Sequence, residues 1–199
     1  MRQVSRSTRI AWSEGLSLDP QKLVLLIDGY NVIAPVAAPG RGCDPRWLER
    51  ERALLLKRLR ECLPDSLLPL TCVVFDAANP PPDASELHVW FGVNVRFAIN
   101  YPEADDLIEE LILSCSTPKK LTVVSSDRRI QAAAKRRSSF VFESITWFDQ
   151  LLAGDMQLAP EVLAKFERER QGQGREGKSL DVPSLSPEEV DQWLSEFEF

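Results

Sequence analysis

Three short, mostly apolar runs, each leading to an aspartate, set the rhythm of the chain. Residues 23–27 (LVLLI) lead into Asp28-Gly29, residues 70–75 (LTCVVF) into Asp76, and residues 121–124 (LTVV) into Ser125-Ser126-Asp127. Near-continuous apolar runs, rather than alternating ones, are what strands buried on both faces of a parallel sheet require, and the first of these is unbroken. Between them the period changes. Asp44-Pro45 opens a pattern with Trp47, Leu48, Leu54, Leu55, Leu59 and Cys62 on one face, closed by Pro64, which predicts a helix over 45–63. Leu107, Ile108, Leu111 and Ile112 line the inner face of a predicted helix over 102–116, and RRIQAAAKRR after Asp127 is rich in strong helix formers.

The remaining segments fill in the same alternation. Residues 29–44, with Pro35, Pro39, Gly40 and Gly42, read as a loop, and residues 86–99 alternate weakly around Gly92 and give one short strand or a hairpin. Residues 140–142 (FVF) give a fourth short strand, followed by helices over 144–153 and 159–170. Strands alternating with helices predict an α/β fold, a three-layer α/β/α sandwich with a mostly parallel central sheet and additional C-terminal helices. The organisation reads as an N-terminal extension over 1–21, one domain over 22–155, a C-terminal helix over 156–170, a Gly/Ser-rich linker over 171–187 and an acidic amphipathic tail over 188–199. That tail reads equally as a helix docked on the core or as a segment that binds a protein partner.

Charge changes this picture only once it is located. The net charge is −6, but residues 161–199 carry 10 acidic and 5 basic side chains, so residues 1–160 are left at −1. A nearly neutral domain with clustered aspartates must also carry basic surface, which is compatible with a polyanionic partner. Four cysteines without a CxxC pair and a single histidine, His88, argue against a zinc site, and Cys62, Cys72 and Cys115 read as buried thiols. No apolar run is long enough to span a membrane and the first twenty residues lack an apolar signal core, so the expectation is a soluble, cytoplasmic protein with no membrane partner.

In an open parallel sheet the strand C-termini share one edge, and ligands bind there. Asp28, Asp76 and Asp127 are therefore expected to converge, and Asp105, with neighbouring Asp106, opens a helix that points at the same edge under the usual right-handed crossover. Crowded carboxylates raise one another's pKa unless a cation neutralises them, and all-oxygen ligands select Mg²⁺ or Mn²⁺. Such an ion activates water for attack on a phosphodiester. Asn31, three residues after Asp28, can offer its amide to the same edge. Arg128 and Arg129, which follow Asp127, together with Arg41 and Arg46, are the basic residues expected to hold a nucleic-acid backbone.

Each of these residues, taken alone, has a plainer role. Asp105 and Asp106 fit the positive end of a helix, with Asn100 and Glu103 as a capping box. Ser126 or Asp127 would be an ordinary N-cap for RRIQAAAKRR, Asp28 and Asp76 would pass as turn residues, and Asn31 as a loop-fixing amide. Lys135, Arg136 and Arg137 suit a helix C-terminus. The joint placement of three aspartates at three strand ends is what favours a metal site.

LLIDGYNVI (residues 25–33), VVFDA (73–77), EADDLIE (103–109) and VVSSD (123–127), in this order and strand context, resemble the YacP-like branch of the NYN domain family, a bacterial group of PIN-like ribonucleases. The resemblance covers about residues 22–155. It implies that Asp28, Asp76, Asp105 and Asp127 form the catalytic, metal-binding acidic site, with Asn31 and Ser126 in support and Asp106 as an additional acid. It further implies Mg²⁺- or Mn²⁺-dependent endonuclease activity on RNA, single-stranded or messenger, in mRNA turnover with the ribosome as a partner. The chain departs from the family at its ends, with an acidic 188–199 segment where a basic helical tail is expected.

Other readings are weaker. A haloacid-dehalogenase-like phosphohydrolase needs a second aspartate two residues after the first, and that position is Tyr30. Neither a glycine-rich dinucleotide turn nor a P-loop follows the first strand. The remaining rival is a PIN-like module that binds RNA, the ribosome or a protein partner with little or no cleavage; it has no need for mutually repelling carboxylates.

Overall fold

A strand that is aliphatic at every position is satisfied only between two covering layers, and that is how the runs are used. The computed structural model describes residues 18–33, 47–76 and 87–172. β1 (Leu25–Asp28), β2 (Thr71–Phe75), β3 (Leu87–Trp90), β4 (Val93–Phe97), β5 (Thr122–Val124) and β6 (Phe140–Phe142) form one sheet in the order β3-β4-β2-β1-β5-β6. Every neighbouring pair is parallel except β3 with β4. The expected α/β/α sandwich with a mostly parallel sheet is the architecture found.

Alternation along the strands sends successive side chains to opposite layers. Leu25, Ile27, Val73 and Phe75 face a cluster completed by α1 (Gly29–Ile33), α2 (Trp47–Cys62), α5 (Ser144–Leu152) and α6 (Pro160–Gly172). Leu26, Cys72, Val74 and Val123 face the other, built on α3 (Ala104–Ser114) and α4 (Arg128–Arg136). Leu107, Ile108, Leu111 and Ile112 of α3 are all buried there. Each such side chain contributes roughly 1.5–3 kcal/mol on burial, so this stripe alone holds α3 against the sheet. Burial pushes the Cys72 thiol up to about 12.

The structure corrects the sequence reading in several places. The stretch after Asp28 begins not as loop but as α1, whose third residue, Asn31, donates its backbone N–H to Asp28 Oδ1 at 3.3 Å. The aspartate thus caps a helix one turn long. Residues 87–97 are a full hairpin, closed by Phe91 and Gly92 at φ of 49° and 84°, the two positive values that a tight two-residue turn requires. The Asn100–Glu103 capping box does not form: Glu103 is the N-cap of α3 and makes no side-chain cap bond. Cys62 is only partly buried, unlike Cys72 and Cys115.

Ahead of β1, Leu18 is buried in the α3/α4 cluster and Asp19 caps a short 3-10 turn, Pro20–Lys22. The linker and acidic tail expected over 173–199 lie outside the described residues. Among the described residues no helix is long and apolar enough to cross a membrane.

Candidate active site

β1 continues through α1 and α2 to β2 on one side, whereas β5 lies on its other side; the chain changes direction across the sheet at β1, and such a switch point leaves a crevice at the strand C-termini. Asp28 sits at that point. It is 5% exposed, and its carboxylate is held from three directions. Ser125 Oγ donates to Oδ2 at 2.9 Å, Asn31 Nδ2 donates to Oδ2 at 2.5 Å, and the Asn31 backbone N–H reaches Oδ1. Burial pushes the Asp28 pKa up; the Ser125 and Asn31 bonds pull it back, and the charge of Asp127 adds to the rise.

Two further carboxylates come from the α3/α4 layer. Asp127 is the N-cap of α4, its Oδ1 accepting from the Arg129 N–H at 2.6 Å and the Ile130 N–H at 3.2 Å. Its own N–H donates to Ser125 Oγ at 3.1 Å, so a single hydroxyl joins Asp28 to Asp127. Asp105 lies in the first turn of α3, and its carboxyl is pushed up to about 6. Partial burial is the largest cause, followed by the charges of Asp127 and Asp28, while Arg129 opposes the rise. Three acids from three elements therefore feel one another at one edge.

Asp76 leaves β2 one strand over, half-buried, and its charge is felt by Tyr30 of α1. Burial raises the Tyr30 phenol, a bond and the charge from Arg52 lower it, and Asp76 raises it again. Arg52 is 5% exposed although charged. Its guanidinium donates from both Nε and Nη2 to the Tyr30 hydroxyl and stacks 5.5 Å from the Tyr30 ring, 5.7 Å from Phe75 and 5.3 Å from Phe97. Gly29 makes this packing possible, because a Cβ there would lie 2.3 Å from the Phe75 ring.

The other expected site residues are distributed differently. Ser126 serves α5: its Oγ donates to Glu143 at 2.6 Å and accepts the Ser144 N–H at 3.2 Å. The serine that touches the cluster is Ser125, whose place beside Ser126 in VVSSD was the available signal. Asp106 points to Arg129, which also pairs with Glu109 at 3.2 Å and Glu103 at 3.5 Å. Arg129 is thus occupied by α3, whereas Arg128 is exposed. Arg41 and Arg46 lie outside the described residues. Among the described residues, no three His, Cys, Asp or Glu side chains converge as a ready set of metal ligands.

The sequence model of the YacP-like NYN domain matches residues 25–193, which runs from β1 into the acidic tail. No curated protein matches the chain. Among solved structures, that of Rae1 (YacP) from Bacillus subtilis is similar at 19% identity and a TM-score of 0.47, over 75% of this chain and 83% of that one. A tryptophan-to-leucine variant of the same protein is similar at 19% identity and a TM-score of 0.41, over 87% and 91%.

Proposed function

The chain belongs to the YacP-like NYN domain family, a family of PIN-like nucleases, and from that premise we propose that it is a metal-dependent endoribonuclease acting at Asp28, Asp105 and Asp127. The observation that carries this reading is the Ser125 hydroxyl that bonds both the Asp28 carboxylate and the Asp127 N–H, with Asp105 close enough for the charges of both acids to help raise its carboxyl to about 6. The positive charge of a divalent ion would offset the repulsion that raises such a group.

The donor set suits Mg²⁺ or Mn²⁺. Mg²⁺ retains much of its water and uses one or two protein carboxylates together with substrate phosphate, so a ready three-ligand cage is not required. Asp28, Asp105 and Asp127 would hold the ion, with Asp76 as the fourth acid one strand over. When bound, it supplies a water of lowered pKa and positive charge for the leaving oxygen.

The chain's own groups prepare the site. Ser125 and Asn31 fix the Asp28 carboxylate in one orientation, a service that ligand-supporting hydrogen bonds commonly perform. The first turn of α4 holds Asp127 through two backbone N–H groups. Arg129 ties the start of α3 to the start of α4 and so sets Asp105 against Asp127. Substrate would be RNA, single-stranded or messenger, with a place in mRNA turnover and the ribosome as a partner.

The competing reading, an RNA- or protein-binding module without cleavage, draws on the lack of a converged ligand set among the described residues. A closed circular RNA separates the two, since only internal cutting opens it. Opening that needs Mn²⁺ or Mg²⁺, stops in EDTA, and falls at least ~100-fold in Asp28→Asn would establish the endonuclease. An intact circle in both metals, with no Mn²⁺ uptake by calorimetry, would leave the binding module.

A further inference from the structure

α4 carries no acidic residue, and its sequence RRIQAAAKR divides by face. Ile130, Ala133 and Ala134 are buried against the sheet, while Arg128, Ala132, Lys135 and Arg136 are exposed at i, i+4, i+7 and i+8, one line along the outer surface. Arg129 leaves that line for Glu103, Asp106 and Glu109 of α3. Those acids are thereby occupied, and Glu110 is bonded to the Tyr101 hydroxyl. On the other flank, Glu143 is bonded to Ser126 and Thr146. Among the described residues no acid pairs with Arg128, Lys135 or Arg136.

Position makes this more than a solvated helix face. Lys135 and Arg136 sit at the C-terminal end, where the helix dipole favours cations, but Arg128 sits at the N-terminal end, where the dipole opposes one. Arg129 beside it is compensated by three acids; among the described residues none pairs with Arg128. A phosphate there would meet both the Arg128 guanidinium and the positive helix end.

The line also has two meaningful ends. Arg128 adjoins Asp127 at the candidate active site. The far end, about 13 Å away at the helical rise, adjoins a 3-10 turn, Pro118–Lys120, which adds the exposed Lys119 and Lys120. The residues flanking that turn are tied to those just past the helix: Arg137 donates to the Cys115 carbonyl at 2.9 Å, and the Phe140 N–H to the Leu121 carbonyl at 2.9 Å.

We propose that the outer face of α4, from Arg128 through Lys135 and Arg136 to Lys119 and Lys120, is a track for the sugar-phosphate backbone of single-stranded RNA leading to the aspartate edge. Small Ala132 leaves the middle of the track open, and the spacing of the cations suits a chain several nucleotides long. The track reads charge and not sequence. It rests on the ribonuclease reading for its choice of polyanion.

Binding of a fluorescent single-stranded RNA to the full chain in EDTA, followed by anisotropy across a salt series, tests the track apart from cleavage. The triple variant Arg128→Gln, Lys135→Gln, Arg136→Gln should bind about tenfold or more weakly at low salt, and its salt slope should flatten by about 2, as the loss of three contacts to a single strand requires. Lys119→Gln with Lys120→Gln should produce a smaller loss of the same kind. A control removing three exposed charges elsewhere, Lys22→Gln, Lys165→Gln and Arg168→Gln, should leave affinity near that of the parent. The track is overturned if the triple variant keeps parental affinity and slope, even where circular RNA is still cut, and equally if control and triple lose the same amount. Displacement of the RNA by poly-Glu at a far lower charge concentration than unlabelled RNA requires would assign the face to an acidic polypeptide instead. A parent chain that binds no RNA overturns the track and the ribonuclease reading together.

Discussion

The two sides of β1 handle charge in opposite ways. Toward β5, the charges of Asp28 and Asp127 act on Asp105, and only polar neutral groups, Ser125 and Asn31, are bonded to the Asp28 carboxylate. Toward β2, the protein supplies its own cation: Arg52 is sunk among Tyr30, Phe75 and Phe97, with Asp76 near enough to act on Tyr30. The first side is left electrostatically incomplete and the second is closed. The contrast separates two roles: under the proposed function the β5 side is where an external cation would act, whereas the β2 side is part of the scaffold.

The largest expected effect tests the closed side. Arg52→Met removes two bonds to Tyr30 and a desolvated cation from three rings, and should cost ~2–4 kcal/mol in denaturant unfolding. Cleavage per folded molecule should stay within severalfold of the parent; a collapse of activity without loss of stability would break the contrast. The open side should behave in reverse, with Asp28→Asn losing cleavage while its unfolding free energy at neutral pH is unchanged or higher, because a buried charge of raised pKa has been removed.

Ser125→Ala sharpens the open side. Losing the hydroxyl that joins Asp28 and Asp127 should weaken Mn²⁺ uptake and cleavage by ~10–100-fold, measured by calorimetry and circular-RNA opening. Ser126→Ala, which loosens only α5, should not.

The smallest effect is one of pH. Asp105 holds its proton more tightly in the folded chain, at about 6 against an ordinary 3.8. Its contribution to folding is therefore full below pH 3.8 and is lost as pH rises through about 6. In EDTA, the part of the Tm profile that falls across this window should vanish in Asp105→Asn, and added Mn²⁺ should raise Tm most above it.

Much of this was legible in the sequence because the sheet is buried on both faces, which makes its central strands continuous in apolar character. The aspartates at the strand ends followed from the same runs. What escaped was either too short or too distant. α1 spans five residues, less than two turns, so no period could reveal it, and it exists because Asp28 caps it. Arg52 falls in an amphipathic helix where a charge reads as solvent-facing, and only rings 22 to 45 positions away in sequence make it a core residue. Ser125 and Ser126 are alike on paper; how the chain leaves β5 decides which one reaches Asp28. Arg129 likewise read as a nucleic-acid contact until its three acidic partners, 20 to 26 residues upstream, were in place.

Gly29 leaves the Asp28 carboxylate and the interior mechanically inseparable. The Phe75 ring occupies the space that a side chain at 29 would fill, one residue from Asp28. A lesion that loosens this ring would therefore be felt first as heat-sensitive activity, with the chain still folded and its site already out of alignment.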